Sequence, residues 1–227
     1  MKTNTKPSSR WAATAATLAL ICVSGCTHTT PAPVSPSLDQ VPANIHFSEH
    51  WTPTGAVDLM SPDGTFIRAF FEARSVQDYD RYGEAIYYPG HRQADRTGLA
   101  HIGADKPAYG YTTRWVLSLE ERPDNTVTAF VCSDILIRAT NEEVLTKPSE
   151  IYGEPFIYHR TGIPPLANQK GPARAPAVPV FGDWYATNYG NTSKSLKASN
   201  ERCAKDPGRP ALDKSPVSTP GWPVLGV

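Results

Sequence analysis

Cysteine is scarce in this chain of 227 residues: there are four, and no two stand in the C-x-x-C spacing of a redox centre or zinc knuckle. Charge of one sign is not in excess, since 22 Lys and Arg face 22 Asp and Glu. That balance excludes the basic footprint of a nucleic-acid binder and the polybasic patch of a membrane-surface protein. Beyond Val23 the apolar runs are only a few residues long, too short for a helix that spans a bilayer. The G-x-S-x-G, Walker A and G-x-G-x-x-G signatures are missing, as is any paired-carboxylate constellation. The sequence therefore names no catalytic residue, no metal site and no cofactor.

What is present begins at the N-terminus. Lys2, Lys6 and Arg10 form a basic start, no acidic residue precedes Asp39, and Trp11 to Val23 is mostly apolar. This is the layout of a signal-peptide h-region, which ends here in Val23-Ser24-Gly25-Cys26. The small-small-Cys ending resembles the lipobox of bacterial lipoproteins, whose Cys is lipidated on sulfur and becomes the mature N-terminus. The resemblance implies a signal peptide over 1–25 and a lipidated Cys26, with acyl chains such as palmitate. Two such chains bury at about 0.8 kcal/mol per CH₂, enough to hold a protein at a membrane without a transmembrane helix. It also implies an extracytoplasmic domain, with the cell membrane as partner through the anchor. Arg outnumbers Lys, and Ala and Pro are frequent, a composition that fits a GC-rich genome such as an actinobacterium's.

Cleavage would remove three basic residues, leaving 19 Lys and Arg against 22 Asp and Glu, a formal net of −3. About 40% apolar residues and five Trp allow one well-packed domain. Cys22 falls in the signal and Cys26 is taken by lipid, which leaves Cys132 and Cys203. Two remaining Cys in an exported chain are predicted to pair. The loop closed would be about 70 residues long. Such a bridge is worth roughly 4 kcal/mol on the chain-entropy scale.

Residues 26–44 are rich in Pro, Ser and Thr and read as an extended tether, followed by a single domain over 45–203. Residues 204–227 form a Pro-rich tail, in which Trp222 and Leu225 are candidates to dock on the domain. Within the domain, Ser61-Pro62-Asp63 is a helix start with Ser as N-cap and Pro at the first position. Phe66, Ile67, Phe70 and Phe71 then recur with Ala69 and Ala73 as the broad aromatic face of an amphipathic helix. Residues 75–105 read as short helices broken at Gly83, Pro89-Gly90 and Gly98. From Tyr109 the period drops to two. Trp115, Leu117 and Leu119 are expected on one face, and Arg122-Pro123-Asp124-Asn125 is turn chemistry, so 109–140 is predicted to be an antiparallel hairpin. Phe156-Ile157-Tyr158 and Val178 to Tyr189 are further strand candidates, and 161–180 is a Pro/Gly-rich loop inside the domain.

Helices first and antiparallel strands after predict an α+β domain, with N-terminal helices packed on a curved antiparallel sheet. This order, with the SPDGTFIRAFFEA helix, resembles the NTF2-like cone over roughly residues 55–190, and equally a cystatin-like helix on a sheet. The NTF2-like resemblance implies helices laid in the concave face of a bent sheet. In its enzymes, such as the ketosteroid isomerases, an Asp base and a Tyr donor work in the pocket; no Asp here aligns with that base.

His46-Phe47-Ser48-Glu49-His50 matches H-x-x-E-H, the inverzincin pattern, in which two His on one helical face bind zinc. Prolines flank it and no helical periodicity surrounds it, so it reads as surface or strand-entry residues. Tyr79, Tyr82, Tyr87 and Tyr88 gather with Asp78, Asp80, Glu84, His91 and Arg92. These are expected to pack helices, with a pocket mouth as the competing reading. His101 and His159 stand alone and read as structural. Three functions compete. The leading one is a membrane-anchored envelope lipoprotein with a non-enzymatic domain that binds a ligand or an envelope protein. The others are an NTF2-like enzyme or carrier for a small apolar molecule, and a structural accessory that docks through 161–180.

Overall fold

The computed structural model describes residues 41–81, 86–99, 103, 105–192 and 194–224. The signal peptide, Cys26, most of the tether, Tyr82, Glu84, His101 and Leu225 lie outside the described residues. The chain runs β1 (Ile45–Trp51), α1 (Pro62–Tyr79), α2 (His91–Ala94), β2 (Ala108–Glu121), β3 (Thr126–Arg138), α3 (Asn141–Thr146), β4 (Glu150–His159), β5 (Tyr185–Tyr189) and α4 (Leu196–Ala204). The five strands form one curled sheet in sequence order, and the α+β class expected from the sequence is present. Strands β2 to β5 pair antiparallel, but β1 lies parallel to β2, from Ile45↔Ala108 to Trp51↔Arg114, so the sheet is mixed. Parallel neighbours need a long crossover, and here it carries α1 and α2.

Local chemistry sets several of these elements. Ser61 caps α1, its hydroxyl accepting from Gly64 N–H at 3.1 Å, and Pro62 opens the first turn. Gly64 is required because a Cβ there would run into the Asp58 carbonyl and Leu59. The hairpin closes at residues 122–125, where Asn125 takes φ 62° and Arg122 N–H reaches the Thr126 carbonyl at 2.9 Å. A bulge between Val116 and Ser118 then shifts the alternation in β2. Trp115 and Leu117 therefore pack outward with Cys132, whereas Leu119 joins the main core, not the single face predicted. Of the 178–189 candidate only Tyr185–Tyr189 is a strand; Val180 and Phe181 are buried without regular structure.

The aromatic face of α1 fills the inside of the curl. Phe66 sits 5.0 Å from the Tyr158 ring, and Phe70 lies 4.9 Å from Phe156. The other face of α1, expected in solvent, is also buried: every residue from Gly64 to Gln77 is covered, Arg68 and Glu72 included. Its cover comes from irregular chain. Carbonyls of Gln169, Pro220 and Gly221 meet Arg68 there, and Trp222 is fully buried. The C-terminal segment also shields the edge of β1, with Trp51 N–H on the Thr219 carbonyl at 2.7 Å and Thr219 N–H on that of Glu49 at 2.9 Å.

Cys132 and Cys203 form the expected disulfide, with Cα atoms 5.6 Å apart. It ties α4 to the outer face of β3 beside Trp115, whose Nε1–H donates to Asp206 at 2.7 Å. Gly153 lets α4 lie close, since a Cβ would collide with the Ser199 carbonyl. No helix among the described residues is long and apolar enough to cross a membrane.

Candidate functional site

Two groups of charged residues lie inside the curl, and only one of them is open. The closed group centres on Glu72. Its carboxylate accepts from Trp51 Nε1 at 2.9 Å, Trp222 Nε1 at 2.6 Å and the Tyr88 hydroxyl at 2.9 Å. Arg68, one turn earlier, stacks on the Trp222 ring at 4.5 Å and donates to the carbonyls of Gln169, Pro220 and Gly221. Burial raises the Glu72 carboxyl and lowers the Arg68 guanidinium, and the pair's mutual attraction opposes both shifts. Both side chains are sealed from solvent, so this knot joins α1 to the two irregular segments and offers no access to a ligand.

The open group lines a cleft of about 270 Å³ between the C-terminal half of α1 and the inner face of β2 to β5. Period-two alternation points Arg114 of β2, Ile135 and Ile137 of β3, and Tyr152 and Glu154 of β4 inward. Ser75, Asp78 and Tyr79 of α1 and Tyr189 of β5 complete the walls. Arg114 is only 2% exposed. It pairs with Glu49 of β1 and donates to Ser75 Oγ at 2.8 Å. The Ser75 hydroxyl lies 3.2 Å from the Phe71 carbonyl and also bonds the Glu49 carboxyl. At the rim Arg138 pairs with Glu150 at 3.1 Å, and the Tyr152 hydroxyl donates to the same carboxylate.

Two carboxyls, Glu154 in the cleft and Glu49 behind Arg114, are displaced far from their ordinary value. Burial pushes Glu154 up to about 7, against the pull of Arg114 and a hydrogen bond from the Tyr189 hydroxyl. Burial likewise pushes Glu49 up to about 7, with Arg114 opposing and Glu72 adding to the rise. The Tyr189 phenol is held well above its usual range by burial and by Glu154. A carboxyl that titrates near neutrality beside a hydroxyl donor can exchange a proton or bind a cation at physiological pH.

The residues singled out in the sequence scatter around this cleft. The His46–His50 segment is strand β1, not helix. A strand sends alternate side chains to opposite faces, so Glu49 enters the interior while His46 and His50 point away. His46 stacks on Tyr109 at 4.6 Å, and the His50 ring contacts Ser48 Oγ, Thr219 Oγ1 and the Ser215 carbonyl. Among the described residues no group of three or more His, Cys, Asp and Glu is placed to hold a metal. From the tyrosine-rich region, Asp78 and Tyr79 reach the cleft and Tyr88 goes to Glu72. His91 packs against Phe70 and Phe181; burial lowers it to about 4, so it stays neutral. His159 bonds Thr126 Oγ1 and Thr187 Oγ1 on the sheet.

Sequence reasoning missed Arg114, Glu154 and Tyr189. A signal was available for the first: Thr112, Arg114 and Val116 alternate as an inward strand face with a charge in its middle. Comparison with known proteins supplies no family for the chain: no protein-family model, no curated protein and no solved structure matches it.

Proposed function

We propose that this protein is an envelope lipoprotein, anchored to the membrane through Cys26, whose domain binds a small polar ligand in the cleft between α1 and the sheet. The observation that carries the binding role is the cleft itself, where Arg114, Glu154 and Tyr189 come from three strands onto one accessible volume. Rigid elements hold these groups, as a preformed site requires. Its charged walls favour a polar ligand over the apolar molecule of the competing carrier reading. The lipobox-like N-terminus supports the anchor, and the disulfide fits an oxidising compartment. A helix laid in a curled sheet supports the NTF2-like resemblance, while the parallel β1 departs from the expected antiparallel order. The 161–180 segment buries Ala175 and Val180 against the core, which favours a covering role over a docking one.

A second reading has its own support. Glu154 near neutrality beside the Tyr189 hydroxyl is the pairing proton transfer needs, which keeps an acid–base enzyme as the alternative. Fragment screening by amide chemical shifts on the full-length protein in detergent tests the binding role. Hits are expected to move Ser75, Arg114 and Glu154 together; saturable binding that maps only elsewhere, or no binding, contradicts it.

A further inference from the structure

We propose that the cleft selects a small organic cation, an alkylammonium group seated against Glu154 between tyrosine rings; this rests on the reading of the cleft as a ligand site. The charges are unequal. Arg114 is matched by Glu49 and Arg138 by Glu150, whereas Glu154, which feels Arg114 and takes the Tyr189 hydroxyl, forms no ion pair among the described residues. Asp78 of α1 faces the same volume and raises Glu154 further. Arg74, a further cation that acts on Glu154, pairs with Asp95 at 3.3 Å.

The aromatic surfaces agree with the charges. Tyr79, Tyr152 and Tyr189 line the cleft, and the Tyr189 ring already takes a guanidinium, Arg74, at 5.1 Å. Ring faces of this kind attract ammonium groups, more strongly where water is displaced. Ile135 and Ile137 supply an apolar wall for an alkyl chain. Among the described residues the carboxylates do not gather into a three-ligand group for a metal ion. The volume of about 270 Å³ lies just below the usual range for drug-sized ligands, which limits the ligand to a small molecule. A bound cation would favour the ionised Glu154 and reverse the displacement that burial causes.

The test titrates full-length protein in detergent with n-butylammonium, tetramethylammonium, butyrate and butanol, following the amides of Ser75, Tyr152 and Tyr189. Both cations are expected to saturate those shifts. Tetramethylammonium, whose charge does not titrate, is expected to bind at least tenfold more tightly at pH 8 than at pH 5.5. Glu154→Gln, which keeps an acceptor for Tyr189, is expected to weaken both cations at least tenfold. Cation binding that ignores pH, or that survives Glu154→Gln, overturns the proposal. Butanol or butyrate moving the cleft while the cations do not leaves a binding site but removes its cation class. If no probe moves the cleft, both the class and the binding role fall.

Discussion

Arg68 and Glu72 stand one turn apart on α1, a spacing that in most helices marks a surface ion pair worth a few tenths of a kcal/mol. Here both are buried, and the knot they form joins three indole and phenol donors to two irregular segments. Removing the Glu72 carboxylate disturbs the shared acceptor of three buried donors, Trp51, Trp222 and Tyr88. Glu72→Gln, which turns one acceptor oxygen into a donor facing those groups, is expected to cost about 1–3 kcal/mol in urea unfolding; a change below about 0.5 kcal/mol contradicts the knot's role. The cleft carboxyl Glu154 gives a pH dependence. Glu154 ionises near 4.5 in the unfolded chain and near 7 in the folded one, so the folded state holds the extra proton in between. Stability therefore falls as pH rises through that window. Glu154→Gln is expected to gain stability over wild type from pH 5 to pH 8; a difference that stays constant with pH contradicts the burial argument. His91 works the other way, losing stability as pH falls from 6.5 toward 4.

Among the elements, α4 depends most on covalent help. It is nine residues long, buries only Ser199 and Cys203, and is held to β3 by the disulfide. Reduction of Cys132–Cys203 is expected to cost up to about 4 kcal/mol and to lower the melting temperature clearly. Unchanged melting after complete reduction, verified by alkylation of both thiols, contradicts it. The disulfide was legible because cysteine is scarce, and the α1 cap and the 122–125 turn because their chemistry is local. Strand β1 was not legible: its partner β2 lies parallel to it, beyond α1, so no turn marks the pairing. The cleft was hidden for the same reason, since Glu49 and Arg114 are 65 residues apart and meet only once that pairing forms. The back of α1 misled because the chain covering it, around Gln169 and Trp222, has no period to read.

At the scale of the whole molecule, the proposed function joins a membrane anchor at Cys26 to a domain with a polar cleft. The Cys132–Cys203 bond fits an oxidising compartment. That fit depends on the chain being exported, and the proposed anchor depends on the Cys26 thiol. The measurement that bears on this most directly is the intact mass of protein extracted from membranes of the expressing bacterium, wild type beside Cys26→Ala. The wild type is predicted to begin at Cys26, to carry the mass of lipid on that residue and to partition into detergent, all three features being lost in Cys26→Ala. A wild-type chain with unmodified Cys26 that stays in the aqueous phase would contradict the account.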